Sequence, residues 1–521
     1  MNVRLTLLVR RLANVMSATE PSIRRRAASA LAGCLVLVLA GACGTSSTVP
    51  SLLEATIPEL QSAMETGQLT SVELVDFYLA RIAAYDSAGP ELNAFILVNP
   101  AARDEAAALD AERVDSGPRG PLHGIPVVLK DNIGTADMQT TAGSTALEGF
   151  VPTEDAFQAR KLRDAGAVII GKANLFEFAL GWGTVSSLGG QTLNPYDLSR
   201  DPGGSSGGTA VAVTANFAAA GLGTDTCGSI RLPAAHNDLY GLRPTSGLSS
   251  SAGVIPFSTT LDAVGPMARS VVDLAIMLDA TTGVDPADPA TVRAGTSYLS
   301  AVDPDGLSGR RIGLVTFSGD SEVERLMASA IDEMTAGGVE VVEITLPGGV
   351  DIGPLFGELR FALHDYLAAE PRAPVRSLRE IVGLNVVTPA VGGFLYDLAA
   401  VTSLETPAYR AALKGRNRFR DAVVALMDES HLDAIAYPAS SEPAALIGGD
   451  PSPFDCESAA YGGLPAMVVP AGFTSDGLPV SLELMGRPFA EGTLIAIAAG
   501  YEAHANHRML PPTTPPLKRT E

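Results

Sequence analysis

Residues 201–235 read DPGGSSGGTAVAVTANFAAAGLGTDTCGSIRLPAA. The glycine and serine run from Gly203 to Gly208 passes directly into an alanine-rich apolar segment, so it marks the entrance to a packed helix. A flexible Gly/Ser linker would not continue into such a segment. Glycines at this point let the backbone approach a ligand closely and present N–H groups at a helix start, which suits an anion or a developing oxyanion. The same hexapeptide satisfies G-x-S-x-G twice, centred on Ser205 and on Ser206. A strand-to-helix nucleophile elbow is therefore one reading, and it needs an acid and then a histidine further along the chain. His236, His364, His431, His504 and His507 follow, none in a local context that marks it as a base.

Working outward, GPLHGIPVVLKDN ends a short apolar run at Lys130, the pattern of a buried strand. DAFQARKLRDAG has helical spacing and feeds the strand-like AVIIGKANL. RRIGLVTF, SEVERLMASAIDEMTAGG and VEVVEITLP repeat the order strand, helix, strand, which predicts an α/β fold. Near the N-terminus Thr70 and Glu73 form a capping box for a helix whose Leu74, Phe77, Tyr78 and Ile82 share one face. Residues 354–428 read as helical, an insertion able to cap a pocket, before LDAIAYPA, LPAMVVPAGF and LPVSLELMGR return to strands. The polar stretch after residue 280 has linker composition, yet the alternation continues across it. One domain is expected over residues 55–510, with a polar tether at 43–54 and a Pro-rich tail at 511–521.

Lys130 in GPLHGIPVVLKDN, Ser205 in GGSSGG and Ser229 in DTCGSIR, 24 residues after Ser205, resemble the amidase signature family, which hydrolyses amides with a Ser, cis-Ser and Lys triad. The resemblance spans about residues 55–505 and includes YGLRPTSGLSSSAGVIPFSTTLDAVGPMARS and GLPAMVVPAGFTSDGLPVSLELMGRPFAEGTLIAIAAGYE. GVIPFSTTLDAVGPMARS and the helical region holding YLAAEPRAPVRSLREIVGLN are most similar to the peptide amidase branch. The resemblance implies a single large α/β domain, a mixed twisted central β-sheet covered by helices on both sides. It implies Ser229 as nucleophile, Ser205 as bridging hydroxyl, Lys130 as base, and backbone N–H groups of Thr226, Cys227, Gly228 and Ser229 as the oxyanion hole. Asp225 and Arg231 would form a structural pair beside the nucleophile, and Asp262 would cap backbone amides in its turn.

The chemistry suits those roles. A serine hydroxyl is a weak nucleophile until a base takes its proton, and an amine is a base only when neutral. Burial lowers a lysine pKa, and a hydroxyl between amine and nucleophile relays the proton. No metal and no organic cofactor is expected. Glycine is most common in the family where this chain has Cys227, which leaves the local backbone angle and pocket shape open. Cys227 and Cys456 lie 229 positions apart, too far for a metal cluster. They are read as two buried free thiols, although in an oxidising compartment they could pair.

Charge narrows the function further. With 36 basic and 58 acidic residues the net charge is −22, a poor match to a polyanionic partner. Before residue 43 the bias is reversed: Arg4, Arg10, Arg11, Arg24, Arg25 and Arg26 oppose only Glu20, and the rest of the chain carries net −27. An apolar run from Ala27 to Ala42 follows and then Cys43, which reads as an export signal over residues 1–42 with Cys43 as the lipidated first residue of the mature chain; Met16 would serve as well as a start. The run is 16 residues, short of the roughly 20 of a membrane span. The expectation is an exported amidase, lipid-anchored or secreted, acting on a small-molecule or short-peptide amide. The competing readings are an esterase on the same triad, a catalytically silent substrate-binding lipoprotein, and a glutamine-amidotransferase subunit for charged transfer RNA, which the export signal and the acidic body disfavour.

Overall fold

The computed structural model describes residues 51–517 apart from 294 and 296. The expected signal peptide, Cys43 and most of the tether lie outside the described residues. Thirteen strands are present among those described: β1 Phe95–Val98, β2 Pro126–Lys130, β3 Val168–Ala173, β4 Val185–Ser186, β5 Gly190–Gln191, β6 Ala220–Asp225, β7 Tyr240–Arg243, β8 Ala263–Ala268, β9 Arg311–Val315, β10 Glu340–Ile344, β11 Ala434–Pro438, β12 Ala466–Phe473 and β13 Pro479–Met485. β4 and β5 form a separate hairpin, and the other eleven form one mixed sheet in the order β1-β3-β2-β6-β8-β7-β12-β13-β11-β9-β10. Helices Gly207–Thr214, Val271–Thr281, Ser321–Ala336 and Glu491–His504 pack against it.

The expected alternation is present: VVLK and AVIIGKANL are β2 and β3, buried at every residue, as strands of a parallel core must be. The capping box of Thr70 and Glu73 starts the helix Ser71–Arg81, whose Leu74 and Tyr78 are buried. Four helices and a 3₁₀ turn fill most of residues 353–429, and apolar side chains of the first three helices form a second core in which Leu359, Leu363 and Ile381 meet Phe150 and Phe257. The described part of the Pro-rich tail is fastened to the body, because the buried Arg81 guanidinium donates to the carbonyls of Thr514 and Pro515 at 2.8 and 3.0 Å.

What positions the site is the centre of the sheet. β2 runs parallel to β6, so their C-terminal ends, Lys130 and Asp225, arrive at the same edge, where ligands bind in parallel sheets. The helix Gly207–Thr214 lies directly on these two strands. A Cβ at Gly221 or Gly223 of β6 would stand 2.6 Å from Thr209 Cγ2 or 2.8 Å from Ser206 Oγ, so only glycine permits this approach.

Candidate active site

Lys130 ends β2 fully buried. Its Nζ lies 2.7 Å from Ser205 Oγ and donates to Thr224 Oγ1 and Thr224 O at 2.8 and 3.3 Å. All three contacts are neutral. Burial therefore dominates and lowers its pKa to about 7, against the opposing pull of the Asp225 and Asp262 carboxylates. Ser205 follows a cis peptide bond, Gly204–Ser205, at the entrance to the helix Gly207–Thr214. Asn132 also donates to Thr224 Oγ1, at 3.1 Å.

Ser229 sits on the loop that continues β6. Its carbonyl accepts the Ser206 N–H at 3.2 Å, which fixes the two serine-bearing segments together. Its hydroxyl makes no hydrogen bond to a described residue and borders a cavity of about 340 Å³. Beneath the loop the Asp225 carboxylate receives Gly228 N–H at 2.9 Å, Ile230 N–H at 3.2 Å, Arg231 Nε at 3.1 Å and Arg243 Nη1 at 2.8 Å. Burial alone would favour the neutral acid, but the guanidinium groups of Arg231 and Arg243 outweigh it and hold Asp225 below the ordinary carboxylate range. Arg231 also pairs with Glu483 at 2.6 Å. Asp225 and Arg231 thus brace the loop from below, as a structural pair should.

Two expectations change here. The Gly228 N–H is occupied by Asp225, so Gly228 leaves the proposed oxyanion set. The N–H groups of Thr226, Cys227 and Ser229 find no acceptor among the described residues. Second, Cys227 and Cys456 are not free thiols but a disulfide, with Cα atoms 4.7 Å apart. The segment before the helix Glu457–Gly462 folds over the Ser229 loop: Arg231 Nη2 donates to Cys456 O at 3.0 Å, and a Cβ at Gly228 would collide with the Phe454 ring. That closure joins residues 229 apart, which spacing alone does not disclose. The backbone angle left open at Cys227 is ordinary, and the left-handed residue is Gly228, with φ +91°.

The elbow reading fails on the same geometry. The Ser206 hydroxyl donates to Thr224 O at 3.2 Å and accepts Thr224 N–H at 3.3 Å, leaving it committed to backbone. No histidine is hydrogen-bonded to Ser205, Ser206 or Ser229 among the described residues. His236 is buried beside a different cavity, its pKa lowered by burial to about 4.

The family model described as Amidase matches residues 73–495. The chain belongs to the amidase family. It is accordingly a hydrolase acting on C–N bonds. Native peptide amidase from Stenotrophomonas maltophilia superposes with a TM-score of 0.83 at 41% identity, covering 88% of this chain and 99% of that one. A peptide amidase in complex with the competitive inhibitor chymostatin gives the same values. A protein named as a probable amidase from Arabidopsis thaliana is 38% identical over 88% of this chain and 91% of its own length.

Within this amidase the structure brings Lys130 and Ser205 into contact, and it sets Ser229 on the adjoining loop. Sequence reasoning missed Thr224 and Trp182. Thr224 stands one residue before Asp225 in a stretch whose small residues hide a strand. Trp182, the sole tryptophan, donates its indole N–H to Cys227 O at 3.1 Å and stacks edge-on against Phe454 at 5.7 Å. Asp262 caps the N–H groups of Phe257 and Ser258 at 2.8 and 3.0 Å and accepts the Thr226 hydroxyl. Burial raises its pKa to about 6.

Proposed function

We propose that this amidase cleaves a carboxylic amide to acid plus ammonia or amine through an acyl-enzyme on Ser229, with Ser205 as bridging hydroxyl and Lys130 as base. The observation that carries the reading is a fully buried Lys130 amine 2.7 Å from Ser205 Oγ with no carboxylate in hydrogen-bond contact. With a pKa of about 7 a large share of this amine is neutral at neutral pH and able to take a proton. Ser205 passes the Ser229 proton to Lys130 as Ser229 attacks the carbonyl carbon. The N–H groups of Thr226, Cys227 and Ser229 are available to the oxyanion, and one such donor is worth about 3 kcal/mol of barrier. Lys130 then returns the proton through Ser205 to the departing amine nitrogen, the C–N bond breaks, and water hydrolyses the ester to Ser229. The likeness to peptide amidase supports a short peptide amide or a small carboxamide as substrate. Ser229→Ala should abolish both turnover and fluorophosphonate labelling with the fold intact. Wild-type turnover in that variant would sink the reading, and faster cleavage of matched esters than amides would favour an esterase.

The proposal extends to location. The basic and apolar residues before Cys43 support export, with Cys43 as lipid anchor. No helix among the described residues is long and apolar enough to cross a membrane. Cys43→Ala should move the protein from the membrane to the soluble fraction, whereas unchanged retention would point to an uncleaved anchor.

A further inference from the structure

The cavity beside Ser229 carries more than the hydrolytic groups. Phe257, Phe356 and Phe394 form an edge-to-face ladder along it, with ring centroids 5.4 and 6.2 Å apart and planes at 86° and 84°. Trp182 and Leu180 complete the apolar wall. Phe394, on the helix Pro389–Ala400, and Trp182 are about equally exposed, at 40% and 41%, as large rings kept at an opening rather than packed away. The polar atoms on the lining belong to backbone, to Thr226 and Ser229 and to the Trp182 indole N–H, which is spent on Cys227 O, and no Asp, Glu, Lys, Arg or His among the described residues borders the cavity. The nearby Asp262 carboxylate is spent on Thr226, Phe257 and Ser258.

We propose that the acyl side of the substrate amide is an uncharged aryl or arylalkyl group seated against Phe257, Phe356, Phe394 and Trp182; this rests on Ser229 being the nucleophile. Ring edges and faces in this arrangement offer a flat ring the offset and edge-on contacts that aromatic groups prefer. A charged acyl substituent would lose its water here and meet no partner. The volume, about 340 Å³, stands at the small end of the roughly 300–1,000 Å³ of ligand pockets, which fits one ring on a short spacer. The acyl group stays bonded to Ser229 through both chemical steps while the amine departs after the first. The cavity with Ser229 in its wall is assigned to the acyl side on that ground, and acetanilide, with its ring on the amine, tests the opposite assignment.

The test uses the purified full chain and four amides: 3-phenylpropionamide, butyramide, succinamate and acetanilide, the last carrying its ring on the amine. We expect kcat/KM for 3-phenylpropionamide to exceed that of each of the others by at least about a hundredfold. Phe394→Ala should cut the preference for 3-phenylpropionamide over butyramide about tenfold, through KM, and Phe394→Leu should restore part of it. Absence of both fluorophosphonate labelling at Ser229 and turnover would mean that the hydrolytic reading itself fails. Labelling at Ser229 combined with equal turnover of succinamate or acetanilide, or with no turnover of any of the four, would leave Ser229 as nucleophile and overturn the aryl acyl pocket.

Discussion

Two fully buried lysines stand on neighbouring strands, and they are held in opposite ways. Lys130 on β2 is paired across the sheet with Ala173, and Lys172 on β3 with Leu129, so the two side chains leave opposite faces. Lys130 meets a serine hydroxyl, a threonine hydroxyl and a carbonyl beside the loop that carries Ser229. Lys172 meets Thr140 Oγ1 at 2.6 Å, Ile133 O at 2.7 Å and the equally buried Asp131 carboxylate at 3.4 Å. The difference teaches that burial alone does not make a base. Burial lowers the pKa of both amines, but at Lys172 the touching Asp131 carboxylate opposes that fall, whereas the partners touching Lys130 are neutral.

The largest effect should separate the two sites in sign as well as size. Lys130→Met should lower kcat/KM by at least about a thousandfold, because it removes the proposed base. It should leave the thermal midpoint unchanged or raised, since an amine with a pKa pushed down to about 7 is a burden on the folded state. Lys172→Met should destabilise the fold by about 3–5 kcal/mol by leaving Asp131 buried without its partner, while molecules that still fold keep most of their activity. Activity assays at matched folded fraction, with chemical denaturation alongside, read both quantities. Loss of activity at native stability in Lys172→Met would break the comparison.

The next test asks whether the relay is as local as the geometry has it. Ser205→Ala should cost about a hundredfold to a thousandfold in kcat, within the range of proton-transfer catalysis. Ser206→Ala should cost far less, because its hydroxyl serves only the Thr224 backbone. A reversal of that order would restore the elbow reading.

The pH dependence sharpens the contrast further. With Lys130 as the proposed base its neutral form does the work, so kcat/KM should fall about tenfold per pH unit below about 7 and level off above it. Stability should follow the same group. Between about pH 7 and its ordinary 10.5 the unfolded chain binds a proton that the folded chain does not, so the burden of Lys130 is greatest below pH 7 and shrinks as pH rises through that window. Urea titrations across pH 7 to 10 should show this slope in the wild type and lose it in Lys130→Met. A flat rate profile from pH 5 to 8 would remove Lys130 as the base.

The contrast between the lysines also marks how far the sequence can be read. Lys130 is legible because an apolar run ends on it and because its motif is ordered with Ser205 and Ser229. Lys172 lies inside an equally apolar run, AVIIGKANL, yet its partner Asp131 comes from another strand end, and no local pattern announces the pair. The strands flanking the site are harder still. β6, AGLGTD, has Thr224 as its single β-branched residue because a helix lies against its glycines, and β8 carries Pro266 in its middle although it is bonded on both sides. The aromatic wall is least legible: Trp182, Phe257, Phe356 and Phe394 are scattered over more than 200 positions and meet only in the folded chain.

The smallest expected effect concerns the covalent tie over the Lys130 side. The nucleophile loop is braced from below by the charges around Asp225 and from above by the bond from Cys227 to Cys456. Asp225 already holds the Gly228 and Ile230 N–H groups of this loop, so the bond refines the loop and does not create it. Cys227→Ala/Cys456→Ala should therefore lower kcat only about fivefold, near 1 kcal/mol of barrier, with KM within about twofold, because the N–H donors remain but are held less firmly. Treating the wild type with a reductant should reproduce the loss, and reoxidation should reverse it. Free-thiol titration before and after reduction verifies that the bond was present and then cut. Among the described residues no such tie lies on the Lys172 side, so stability there should respond to Asp131 and not to reductant. Full kcat in the double variant and in thoroughly reduced wild type would show that the charges beneath the loop suffice. A thousandfold loss with the fold intact would mean instead that the bond, and not Asp225, sets the geometry of the oxyanion donors.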